Sequence, residues 1–176
     1  MQPLKDSDMP TYERISYEPL VPSVEKFMQI AGQTTNRMNA QQAGLYTGLQ
    51  LEELGEKLSV IRSGCLTAYQ KQQFNELISL LDQFSNEFKA GLHSGAILRS
   101  DHAELIDADF DLAWVSIGAL MSSSPLPNHA IAHGTFTNLD KFRGGVCNKD
   151  ANGKVQKPAD WKKPNFEQFV DLTCRV

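Results

Sequence analysis

The chain has 176 residues, 41% of them hydrophobic, with a formal net charge of −4 and a pI near 5.5. That size suits a single domain over residues 1–176 with a modest core, and the acidic balance argues against wholesale nucleic-acid binding, which favours a basic surface. No run approaches the roughly 20 apolar residues of a membrane helix, and the polar N-terminus, with Asp6, Asp8 and Glu13, lacks the apolar stretch of a secretory signal. A cytoplasmic location with no membrane partner is therefore expected. Cys65, Cys147 and Cys174 are scattered, with no CxxC pair among them. They read as reduced thiols rather than as a zinc site or a disulfide framework.

Residues 1–22 contain Pro3, Pro10, Pro19 and Pro22 and read as an extended arm. Ser23 is then placed to cap a first helix over 23–31, in which Val24, Phe27, Met28 and Ala31 share a face. Gly32 suits the left-handed residue that ends it. A second helix spans 40–62, with Leu45, Leu49, Leu58 and Ile61 at helical spacing, and Ser63-Gly64 punctuates its end. A third spans 69–90, with Phe74, Leu77, Ile78, Leu81, Phe84 and Phe88 as a packing stripe. Gly91 and Gly95 mark a loop. The fourth helix, over 100–121, is the most apolar and includes Leu105, Ile106, Phe110, Trp114, Val115 and Ile117. A short fifth helix over 127–136 follows Ser122–Pro127.

Beyond residue 137 the chain becomes a turn-rich basic tail, with Gly144, Gly145, Gly153, Pro158 and Pro164 among seven cationic residues from Lys141 to Lys163. Asn152-Gly153 fits a small hairpin turn. The fold expected is all-α: a bundle of four to five helices with an irregular basic C-terminal extension over 137–176.

Acid on otherwise apolar helices is the most informative feature. Glu53 and Glu56 are three residues apart on the second helix, and Glu104, Asp107 and Asp111 stack over two turns of the fourth. Residues at these spacings share a helix face, where like charges repel. The apolar setting of Asp107 places its stripe near the core, where carboxylates are costly unless a cation compensates them. Mg²⁺ takes such oxygen ligands together with substrate phosphates, and two facing pairs suit a metal-assisted attack of water on phosphorus. The alternative is that these acids lie on solvated faces, as most helical charge does. A di-iron bundle is disfavoured, because no Glu-x-x-His motif is present.

With these acids in view, the chain resembles the all-α NTP pyrophosphohydrolases, a group that includes the MazG-like, dimeric dUTPase-like and phosphoribosyl-ATP pyrophosphohydrolase-like enzymes. ExxE followed by ExxD is similar to their signature. Phe27 to Gln33 (FMQIAGQ) resembles their early F-x-x-x-x-G-Q segment. Ala132 to Lys141 (AHGTFTNLDK) and Asn152 to Val155, with Lys157-Pro158 and Pro164, resemble two segments of the phosphoribosyl-ATP pyrophosphohydrolase-like branch. The resemblance covers residues 23–166. It implies Mg²⁺ (or Mn²⁺) bound by Glu53, Glu56, Glu104 and Asp107, with Glu52 orienting or deprotonating the water. It also implies that Asn138, Lys141 and Lys154 meet the triphosphate, and that the chain forms a homodimer or homotetramer. The branch includes phage enzymes that cleave dGTP or dATP in the host cytoplasm. The base-selecting pocket would draw on Phe27, Gln33 and Trp114. The stretch between Glu56 and Glu104 is longer than the family's, so the third helix reads as an insertion.

The function expected is hydrolysis of an NTP or dNTP to the monophosphate plus pyrophosphate. Two other readings stand beside it: a non-catalytic nucleotide- or metal-binding regulator, and a purely structural helical module. His129 and His133 are four residues apart, but Ala130 stands where zinc proteases carry Glu, so the pair reads as structural. Asp150–Gly153 lacks the rest of a calcium loop and reads as a turn.

Overall fold

The computed structural model describes residues 20–35, 37–65, 67–143, 147–151 and 153–170. The expected arm up to residue 19, together with Gly144, Gly145, Asn152 and Cys174, lies outside the described residues.

Six helices follow in order: α1 (Leu20–Ile30), α2 (Ala40–Ser63), α3 (Ala68–Lys89), α4 (Ser94–Arg99), α5 (His102–Ser123) and α6 (Pro127–Leu139). Short 3₁₀ turns cover Asp140–Phe142 and Glu167–Phe169. The chain is thus all-helical over the described residues, with one helix more than expected. That helix is α4, in the segment read as a loop because of Gly91 and Gly95. Gly91 does break the chain, with φ +79, but the six residues from Ser94 wind again and bury Ile97.

Ser23 does not cap α1. The helix begins three residues earlier, at Leu20, and Ser23 is buried within it at 2% exposure. Pro22 lies in the first turn, where its missing N–H costs nothing. The end of α1 follows the expectation for Gly32, which adopts φ +61. Its N–H donates to Gln29 O at 2.9 Å and that of Gln33 donates to Met28 O at 2.8 Å, the paired bonds of a Schellman cap.

Local capping also sets α2 and α3. Asn39 accepts from the Gln42 N–H at the start of α2. The Gln42 amide brackets Thr34, donating to its carbonyl and accepting from its N–H, each at 2.7 Å. Thr67 and Gln70 form a reciprocal capping box at the start of α3.

The closest helix pairing is the α2–α3 hairpin. Ser85, fully buried, donates from Oγ to Gly48 O at 2.7 Å. A Cβ at Gly48 would stand 2.7 Å from both Ser85 O and Lys89 Cγ, so glycine allows the two backbones to meet. α4 closes the open side of α2, with Ile97 Cδ1 over Gly44. At the other end α6 packs on α1, and Phe142 after it meets Phe27 edge-on at 4.8 Å. His133 of α6 accepts from the Asn165 N–H at 3.2 Å and lies against Phe166 and Phe169, a structural role as expected.

α5 departs from the sequence expectation. It buries no residue, and Ile106, Phe110 and Trp114 are 60–70% exposed. Glu104 and Asp107 are exposed as well, not near the core. The physical reason is that its apolar residues surround the helix rather than forming one stripe, so no single neighbour covers them. Across to α2, the Gln50 amide Nε2 donates to Asp109 Oδ1 at 3.2 Å. No described helix is long and apolar enough to cross a membrane.

Candidate functional site

The basic tail folds back onto the acidic stretch of α2. Asp150 organises the turn that makes this possible. Its Oδ1 accepts from the Lys154 N–H at 3.0 Å, and an antiparallel bridge joins Lys149 to Val155. Gly153 turns with φ +83 beside Leu45 of α2. A turn is therefore present at Gly153, and Asp150 belongs to it as expected. Lys154 then reaches Glu52, 102 residues earlier in the chain, donating to Oε1 at 2.9 Å and to Oε2 at 2.7 Å. Lys89 of α3 adds a second ammonium 3.6 Å from the same Oε2.

Adjacent carboxylates on α2 have opposite electrostatics. Partial burial works to raise the pKa of Glu52, but Lys154 and Lys89 outweigh it and hold the group below the usual carboxylate range. Glu53 is pushed above that range, first by loss of hydration and then by the charges of Glu56 and Glu52, which Lys154 and Lys141 only partly offset.

Glu52 therefore contributes stability that is present above the ordinary glutamate pKa and is lost as pH falls through its lower folded value. Lys154→Ala is expected to lower stability at neutral pH by about 0.5–1 kcal/mol, as befits a partly exposed pair. The gap from the parent should narrow on acidification. Urea unfolding of both proteins at neutral and acid pH checks this.

Beyond Glu53 the site acquires aromatic walls. Lys141, half-buried in the 3₁₀ turn after α6, holds its Nζ 5.9 Å from the Phe27 ring centre and 5.4 Å from that of Trp161. Burial lowers its pKa, and the like charges of Lys157 and Lys154 add to that effect while Glu53 opposes it. Lys157 Nζ lies 4.8 Å from the Trp161 ring centre. Trp161 is itself fixed, donating from Nε1 to Thr137 O at 2.9 Å. Gln33 accepts from the Tyr46 hydroxyl at 2.8 Å, two helical turns before Glu53 on α2. Asn138 stands exposed in the last turn of α6, three residues before Lys141.

The structure thus gathers Glu52, Glu53, Phe27, Lys141 and Lys154 into one neighbourhood. It does not bring Glu104 and Asp107 to them. Among the described residues, no three His, Cys, Asp or Glu side chains gather closely enough to hold a metal ion. Helical geometry accounts for the absence of Asp107. The Gln50–Asp109 bond joins α5 to α2, and Asp107, two residues before Asp109 at about 100° per residue, is turned away from that bond.

Three site residues had no expected ligand role in the sequence. Lys89 belongs to a helix read as an insertion. Lys157 lies in the tail segment that resembles the phosphoribosyl-ATP pyrophosphohydrolase-like branch, but only Lys154 of that segment was expected to meet the ligand, and Trp161 follows it amid lysines. Comparison with known protein families, characterised proteins and solved structures gives no significant match. The family resemblance accordingly rests on the motifs, and the site on its own geometry.

Proposed function

We propose that the chain is a nucleoside triphosphate pyrophosphohydrolase that takes its substrate as the Mg²⁺ complex and releases a monophosphate and pyrophosphate. The observation that carries this reading is the meeting of the α2 carboxylates with the lysines of the tail beside two aromatic walls. A triphosphate needs cations for its oxygens and a base for the attacking water, and its nucleoside needs apolar surface. Lys141 and Lys154 suit the first need, Glu52 and Glu53 the second, and Phe27 with Gln33 the third.

The two carboxylates suit different moments. Glu53, with its raised pKa, is the better proton acceptor for a site working near neutrality. Glu52 is occupied by Lys154 until a phosphate competes for that ammonium. Mg²⁺, where it accompanies the triphosphate, would neutralise phosphate charge and lie against Glu56, leaving Glu53 to accept the proton. Glu104 and Asp107 would join this group only in a homodimer or homotetramer that covers the apolar flank of α5.

The test is a panel of NTPs and dNTPs, purine deoxynucleotides included, incubated with Mg²⁺ or Mn²⁺. Monophosphate plus pyrophosphate is the expected outcome, and release of orthophosphate alone would overturn the reading. A second reading, a non-catalytic nucleotide-binding regulator, is favoured by the ion pair that neutralises Glu52. Nucleotide binding without turnover at any divalent metal would select it.

A further inference from the structure

We infer that Lys141, Lys157 and Trp161 form a pyrophosphate subsite, in which Trp161 holds two ammonium groups ready for the phosphoryl end of the ligand. The inference rests on the pyrophosphohydrolase reading for the identity of that ligand, and it adds Lys157 and Trp161 to the residues that reading uses.

Both ammonium groups stand within 5.4 Å of one indole centre. Among the described residues neither has a carboxylate within salt-bridge distance, whereas Lys89 and Lys154 both reach Glu52. Lys141 is half-buried, where an ammonium loses hydration, and the charge of Lys157 acts against it as well. Two like charges held this way leave an excess of positive potential that the ring quadrupole only partly relieves. A dianionic or more highly charged linear phosphate relieves it fully, with one phosphoryl group for each ammonium.

The ring is built for the task. Its Nε1–H is tied to Thr137 O at the end of α6, and its backbone N–H donates to Pro158 O at 3.0 Å. That second bond closes a tight turn that returns Lys157 over the indole. The order of charges also fits a polyphosphate. Lys154 lies on Glu52, while Lys141 and Lys157 share the Trp161 ring. A triphosphate laid along this row would set its inner phosphate by the carboxylates and its outer two by Trp161, where pyrophosphate departs.

Trp161 supplies its own readout, because Trp114 is the only other tryptophan and is 69% exposed on α5. In Trp114→Phe, titration with inorganic pyrophosphate, without divalent metal, should shift the remaining indole emission saturably, with orthophosphate binding more weakly. Lys157→Ala should weaken pyrophosphate binding by about tenfold or more, the loss expected of one charge-assisted contact, and Lys157→Arg should restore it. Calorimetric titration of the parent and of Lys157→Ala gives the same comparison should Trp114→Phe fail to fold. Equal affinity of the parent and Lys157→Ala, or no saturable response, overturns the subsite. So does an emission shift with adenosine but none with pyrophosphate, which makes the ring a base platform. Pyrophosphate binding with no nucleotide turnover keeps the subsite and removes the enzymatic reading. Turnover with an indole blind to pyrophosphate does the reverse.

Discussion

Gly48→Ala is expected to be among the most destabilising single substitutions in the chain. The added methyl would lie 2.7 Å from the Ser85 carbonyl oxygen and 3.1 Å from the Lys89 backbone nitrogen. Backbone atoms cannot step aside as a flexible side chain does. The α2–α3 crossing must therefore widen, and widening stretches the buried bond from Ser85 Oγ to Gly48 O. Overpacking of this kind costs about 1–3 kcal/mol, and loosening a buried hydrogen bond adds to it. The comparison is Gly55→Ala on the same helix, where no atom lies within 4 Å of the new methyl. There the substitution should be neutral or stabilise by up to about 1 kcal/mol through helix propensity. Thermal unfolding of the two variants checks the contrast. Equal midpoints would show that the hairpin does not depend on the close approach. Lys89 lies one turn beyond Ser85, so widening also draws its ammonium away from Glu52.

The second large effect is on activity. Glu53→Gln is expected to lower turnover of the preferred nucleotide by about 100-fold or more, the usual contribution of a positioned base. Stability should move the other way. A carboxylate whose folded pKa is raised carries a penalty that is absent below its unfolded pKa and fully present above the folded value. The glutamine variant should therefore match the parent in acid and exceed it at neutral pH. A variant that loses turnover and stability together would point instead to a collapsed site. Asp107→Asn offers a further separation. If α5 completes the site only across copies, two inactive variants, Glu53→Gln and Asp107→Asn, should regain activity when unfolded together and refolded as mixed assemblies. No recovery would remove Asp107 from the site.

Much of the fold was legible because local rules govern it. Gly32 and the Gly153 turn follow from backbone preferences that act within a few residues. The α2 and α3 boundaries fall within one residue of those expected. Ser23 misled because a capping residue type is also accepted inside a helix, where it is buried here. The α4 helix was obscured by Gly91 and Gly95, of which only Gly91 has a positive φ. The greatest departure is α5. Apolar composition suggests burial, but composition does not say which neighbour covers a helix, and among the described residues none buries α5. The site shows the same division. Residue types on α2 and in the tail pointed to a shared chemistry, and the Glu52–Lys154 pair joins them. The rotation of α5, on which Glu104 and Asp107 depend, is set by tertiary contacts that spacing along one helix does not encode.

The separation of 102 residues between Glu52 and Lys154 has a consequence for the order of assembly. The α2–α3 hairpin needs only neighbouring sequence, so it can form soon after residue 89 has been synthesised. Glu52 then waits on the growing chain with Lys89 as its nearest counter-charge. Its main partner arrives only after residue 154 has left the ribosome and a long loop has closed. The Glu52–Lys154 junction is therefore completed late in biosynthesis, well after the helical scaffold exists.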